Sequence, residues 1–112
     1  MAFEIALEVV NSVAKITLSG ELDASVAAQF RSRIEDAAAQ HAKRLALMVR
    51  DLEYMSSAGL RVLVFARQKM GARVDIFLVG AQSQVLEPIR QSGLQNSLRV
   101  VEMYEASVIE SF

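Results

Sequence analysis

Two runs constrain this chain more than any others: RLALMVR at 44–50 and RVDIFLVG at 73–80. Each is a short, nearly continuous apolar stretch bounded by charge or glycine, the pattern of a strand covered on both faces. Two such strands lie parallel only if about a dozen residues cross between them, usually as a helix. The middle of the connecting segment is ambiguous by itself. Val62, Val64 and Phe65 favour a strand, whereas Leu60, Leu63 and Ala66 suit a helix. The flanking strands decide, and the spacing predicts a helix over 58–70. Ser56 or Ser57 would cap it, Ala58 and Gly59 would pass through a crowded first turn, and Gly71 would end it in the left-handed conformation.

The rest of the chain fits around that unit. FEIALEVV (3–10) and VAKITLSGEL (13–22) are β-branched and roughly alternating, with Asn11 and Ser12 as a short turn, so a hairpin is expected. After it the period changes. Val26, Phe30, Ile34 and Ala37 recur every three or four residues, and Asp23 is placed to cap that helix. SQVLEPIRQSG (83–93) has the ends of a short capped helix, but Pro88 removes a hydrogen bond unless the helix begins near Leu86 or bends. LRVVEM (98–103) is a last strand and YEASVIESF (104–112) a closing helix with Ile109 and Phe112 on one side. The expected fold is therefore α/β. A central mixed, mostly parallel sheet of about five strands begins with a β-hairpin and is covered by about four helices, as one domain spanning residues 1–112.

Composition narrows the function. With 53% hydrophobic and 22% charged residues the chain is globular, and no apolar run approaches the roughly 20 residues that span a bilayer. Its amino terminus lacks a basic flank and carries Glu4 and Glu8, unlike a signal peptide, so a soluble cytoplasmic protein without a membrane role is expected. There is no cysteine, hence no disulfide framework. A net charge of -1 without a basic cluster gives no footprint for nucleic acid. His41 stands alone, so no metal or other cofactor is expected. SSAGL lacks the flanking glycines of a hydrolase nucleophile turn, and no glycine run cradles phosphates. No enzyme is expected. Met48, Met55, Met70 and Met103 read as core or interface filler, Glu53 and Tyr54 as loop and partial core, and Asp51 as the end of a strand. The helix over 58–70 is apolar over more than the stripe that one sheet contact would bury, which leaves surface for another partner.

GELD at 20–23, DLEYMSSAGLRVL at 51–63 and QSGL at 91–94 together resemble the STAS domain, in particular the bacterial anti-sigma factor antagonists. The similarity runs essentially from end to end. From local sequence the serine pair is a helix cap; the resemblance implies a regulatory role as well. It makes Ser57, the serine before the small-residue, glycine and leucine step, the phosphate acceptor, with Ser56 as the alternative because this chain has a second serine where relatives often carry aspartate. It implies a partner-binding surface of Asp23, Ser56, Ser57, Ala58, Gly59, Leu60 and Arg61. The implied partner is an anti-sigma factor or serine kinase of the GHKL type, with a PP2C-type phosphatase reversing the modification. A ligand-binding STAS module, for nucleotides or within a sensor or transporter assembly, is the alternative, and a scaffold whose serines only cap is the third.

Overall fold

In the computed structural model, which describes residues 2–112, β1 (Glu4–Val10) and β2 (Val13–Leu22) form the expected antiparallel hairpin. Its two turn residues both have positive φ, 50° at Asn11 and 66° at Ser12, the handedness that matches the twist of the paired strands. The chain continues through α1 (Ala27–Ala39), β3 (Arg44–Met55), α2 (Ser57–Met70), β4 (Asp75–Val79) and α3 (Ser83–Gln91). A single 3-10 turn at Leu94–Ser97 precedes β5 (Arg99–Val101) and α4 (Ala106–Ile109). The sheet order is β1-β2-β3-β4-β5, with every pair after the hairpin parallel.

That order determines the layers. Each crossover steps in the same direction along the sheet, and a right-handed step in a constant direction puts every connecting helix on the same face. Phe30 and Ile34 of α1, Leu63 of α2 and Ile89 of α3 accordingly share one core with Ile16, Leu45, Leu47 and Leu78 of the sheet, all buried. The opposite face receives no crossover helix. It holds a smaller cluster of Val13, Ala46, Phe77 and Val79, closed by Ile109 of α4.

Polar contacts strap the carboxyl-terminal segment to that second face. The Arg44 guanidinium donates to the carbonyls of Val108 (2.7 Å) and Ile109 (3.0 Å), the last turn of α4. The Glu110 carboxylate accepts from Asn11 Nδ2 and from the Tyr104 hydroxyl, both at 2.7 Å. Partial burial, reinforced by the bond to Glu110, pushes the Tyr104 phenol well above its ordinary range, and its ring carries the Lys15 ammonium 4.3 Å from its centre.

Several boundaries differ from the expected ones. β3 continues to Met55 because Asp51, Leu52, Tyr54 and Met55 pair with Ser19, Gly20, Glu21 and Leu22 of the long strand β2. Asp51 therefore lies inside a strand, and Glu53 and Tyr54 are exposed strand residues, not loop. α3 begins at Ser83 and runs through Pro88, and it has no side-chain cap at its start. β5 shrinks to three residues and α4 to one turn. Ile109 is buried but Phe112 is 65% exposed, so the two do not share a covered side. Gly71 has φ 92° but ψ 165°, a positive-φ extended form and not the left-handed helical one.

Candidate functional site

The paired serines sit where β3 hands over to α2, and their neighbours make them unequal. Ser56 is the N-cap: extended at φ −79°, ψ 172°, its Oγ accepts the Gly59 N–H at 3.2 Å. Its own N–H donates to the Leu22 carbonyl at 2.9 Å, which ties the start of α2 to the end of β2. Ser57 is the first helical residue, exposed, and among the described residues its hydroxyl has no hydrogen-bond partner. One serine builds the junction, while the other is presented on it.

Gly59 explains how closely α2 packs. A Cβ at this position would stand 2.9 Å from Leu22 Cδ2 and 3.0 Å from Met55 Cγ, so the small residue lets the first turn settle against the ends of both strands. Gly59 is buried, Ala58 and Leu60 are half-buried, and Arg61 is exposed one turn beyond Ser57 with no carboxylate in salt-bridge range among the described residues. The wide apolar surface of α2 is partly taken up by α1, which lies beside it: Phe65 and Leu60 pack on the main core, and the Arg31 guanidinium sits 4.0 Å from the centre of the Phe65 ring. Val64, 41% exposed, is what remains open.

Asp23 belongs to the same edge but not as a helix cap. α1 starts at Ala27 with Val26 as its N-cap and no capping side chain. The Asp23 carboxylate instead accepts from Ser25 Oγ (2.6 Å) and the Ser25 N–H (2.9 Å), closing a tight turn before the helix. The Ser25 hydroxyl bond is the main reason its pKa lies below the ordinary carboxylate value, partly opposed by desolvation, so it is anionic at neutral pH. Since Leu22 pairs with Met55 and bonds to Ser56, Asp23 is adjacent to the serines. Asp51 is not: it pairs with Ser19, four strand residues back, or roughly 13 Å at strand spacing.

Two glutamines support this edge, and nothing in the sequence signals them. β4 pairs with β3 only as far as Met48, leaving the far end of β3 without a strand on that side. Gln82 Nε2 donates to the Arg50 carbonyl (2.8 Å) and Gln84 Nε2 to the Glu53 carbonyl (3.2 Å), standing in for the missing ladder. Arg67 is a second omission. Its guanidinium donates to the carbonyls of Gly71 (2.9 Å), Val74 (2.6 Å) and Ser97 (2.5 Å), fixing the exit of α2. Among the described residues no three His, Cys, Asp or Glu side chains gather at metal-holding spacing, and no helix is long and apolar enough to cross a membrane.

Residues 4–107 match the family described as STAS domain. Over 90 residues the chain is 29% identical to the anti-sigma-F factor antagonist RsfB of Mycobacterium tuberculosis, covering 80% of this chain and 74% of that protein. Among solved structures, an anti-sigma factor antagonist from Mycobacterium paratuberculosis superposes with a TM-score of 0.81 at 22% identity, covering 89% of this chain and 86% of the other. The unphosphorylated form of the antagonist SpoIIAA gives a TM-score of 0.74 at 24% identity, covering 88% and 87%. The phosphorylated form of SpoIIAA, a Bacillus protein, gives 0.67 at 24%, covering 88% and 90%. At these identities the structures establish the five-stranded fold.

Proposed function

This chain belongs to the STAS domain family, and from that premise we propose that it is an anti-sigma factor antagonist switched by phosphorylation of Ser57. In this reading the unphosphorylated protein binds a cytoplasmic anti-sigma factor that is also a serine kinase of the GHKL type. The contact surface comprises Asp23, Ser56, Ser57, Ala58, Gly59, Leu60 and Arg61. Phosphate on Ser57 releases the complex, and a PP2C-type phosphatase restores it. The observation that carries the proposal is the division of labour between the serines: Ser56 is committed to the cap, while the Ser57 hydroxyl is exposed and, among the described residues, unbonded.

The physics of such a switch follows from the position. A phosphate at the first helical residue lies among backbone N–H groups without helical partners, at the positive end of the helix dipole, so it does not unfold the domain. It adds a charge of roughly -1.5 to -2 next to the anionic Asp23. A partner that covers Ser57 and half-buried Leu60 must then desolvate that charge. A loss of about 3 kcal/mol weakens a complex about a hundredfold. Incubation with ATP and the cognate kinase, followed by mass-spectrometric mapping, should place phosphate on Ser57. Ser57→Ala should bind the kinase constitutively and Ser57→Asp weakly; equal binding by both and by the parent would remove the switch.

One observation favours the ligand-binding alternative. A cleft of about 670 Å³ lies at the carboxyl ends of β4 and β5, beside the middle of β3, with Arg50 and Arg90 on its walls. Ligands of parallel α/β sheets collect at that end of the strands. Thermal unfolding with millimolar nucleotide tests this reading, and an unchanged midpoint would exclude it.

A further inference from the structure

We infer that the cleft between β5 and α4, on the sheet face opposite the crossover helices, is a docking site for a basic amphipathic segment of another protein. Its floor is Phe77 and Val101, its walls are Met103 and Val108, and its volume is about 360 Å³. Glu102 and Glu105 complete the rim, both exposed, and among the described residues neither carboxylate has a cation within salt-bridge distance. Arg50 and Arg90 line the adjoining cleft, which Glu102 shares, and among the described residues neither reaches salt-bridge distance of a rim carboxylate. Arg44 and Arg99, each 5.9 Å from the Phe77 ring centre, both pair with Asp75, at 3.8 and 3.4 Å. Apolar walls with an acidic rim that forms no ion pair among the described residues call for an occupant with aliphatic or aromatic anchors flanked by lysine or arginine.

Size and shape argue for a macromolecular partner over a small ligand. The volume lies near the bottom of the range for small-molecule sites, roughly 300–1,000 Å³, and such sites bury most of what they hold. Here the walls are themselves open: Met103 is 57% and Val108 53% exposed. A single anchoring side chain fills such a cleft, and the surface around it covers the walls, the arrangement of an interface hot spot. Exposed apolar groups rimmed by charge mark interaction surfaces, and methionine adapts to the shape it meets. The site lies on the opposite sheet face from the core on which α2 packs, so one domain can engage two partners together.

The test is an NMR titration of the full chain with a synthetic peptide carrying leucines on one helical face and lysines on the other. A matched peptide with glutamate in place of lysine is the control. Shifts should localise to Phe77, Val101, Met103 and Val108 for the lysine peptide only. The double variant Glu102→Gln, Glu105→Gln, altering two exposed side chains, should fold normally and bind about three- to tenfold more weakly. Ser57→Asp should bind as the parent does, so failure of the phosphorylation switch and failure of this site are separable. Shifts elsewhere, equal binding of the glutamate peptide, or unchanged affinity in the double variant would overturn the proposal. So would sedimentation showing that the free protein self-associates through this cleft, with the association lost in Val108→Ser.

Discussion

Replacing each serine of the pair separately by alanine should give opposite results in a stability assay. Ser56→Ala removes the acceptor of the Gly59 N–H. Losing a serine N-cap costs about 0.5–2 kcal/mol, and the 3.2 Å length of this bond, at the long end for N–H···O, places it in the lower half of that range, about 0.5–1 kcal/mol. With an unfolding entropy of roughly 2.1 cal/mol/K per residue, a 112-residue domain changes its melting temperature by about 4 °C per kcal/mol. Ser56→Ala should therefore melt about 2–4 °C below the parent. Ser57→Ala breaks no hydrogen bond and replaces serine by the better helix former, so it should melt at or up to about 2 °C above the parent. Ser56→Asp retains a capping oxygen and adds negative charge at the helix start, and should match the parent or exceed it. Circular dichroism melts of the three variants decide the matter. Equal destabilisation by the two alanine variants, or a neutral Ser56→Ala, would refute the division of roles on which the choice of Ser57 rests.

Gly59→Val should lose about 1–3 kcal/mol in urea unfolding, because even its Cβ would press on Leu22 and Met55. Arg67→Ala should cost about 2–4 kcal/mol by stranding three carbonyls, whereas Arg61→Ala, on an exposed side chain, should stay within about 0.5 kcal/mol of the parent in the same assay. The bonds from Tyr104 and Asn11 hold the Glu110 pKa below its ordinary value of 4.5. Its contribution to stability is therefore complete above that value and lost as pH falls through the lower folded-state value. Tyr104→Phe should flatten the acid limb of the stability curve below about pH 4.5 without abolishing it, since Asp23 contributes in the same direction.

What could be read in advance was what local periodicity encodes. The runs at 44–50 and 73–80 and the spacing of Phe30, Ile34 and Ala37 each carry their own signal, and all three elements formed. The extension of β3 carries none. DLEYM places charge at Asp51 and Glu53, and it is a strand only because β2 is ten residues long and continues beside it. Asp23 has the chemistry of a helix cap, but Ser25, two residues on, is the nearer partner for its carboxylate, and the helix starts later. The serine pair was legible as a cap, whereas which of the two caps depended on where the strand ended, a tertiary fact. Gln82, Gln84 and Arg67 act on backbone carbonyls 30 or more residues away in sequence, in the case of Arg67 alongside nearer ones, and composition holds no trace of that.

A sheet whose spatial order is its chain order has a consequence for how the molecule is made. As the chain leaves the ribosome from its amino terminus, each strand after the first finds one neighbour already in place, and pairing advances along one front. The hairpin can start that front without waiting for distant sequence, which keeps closure entropy small at each step. The front stops at β5, whose three residues offer little template to a stray chain. The opposite border, β1, is guarded from the first moment by the outward carboxylates of Glu4 and Glu8. Topology thus protects the nascent protein from aggregation before the final turn and its Arg44 clasp have been synthesised.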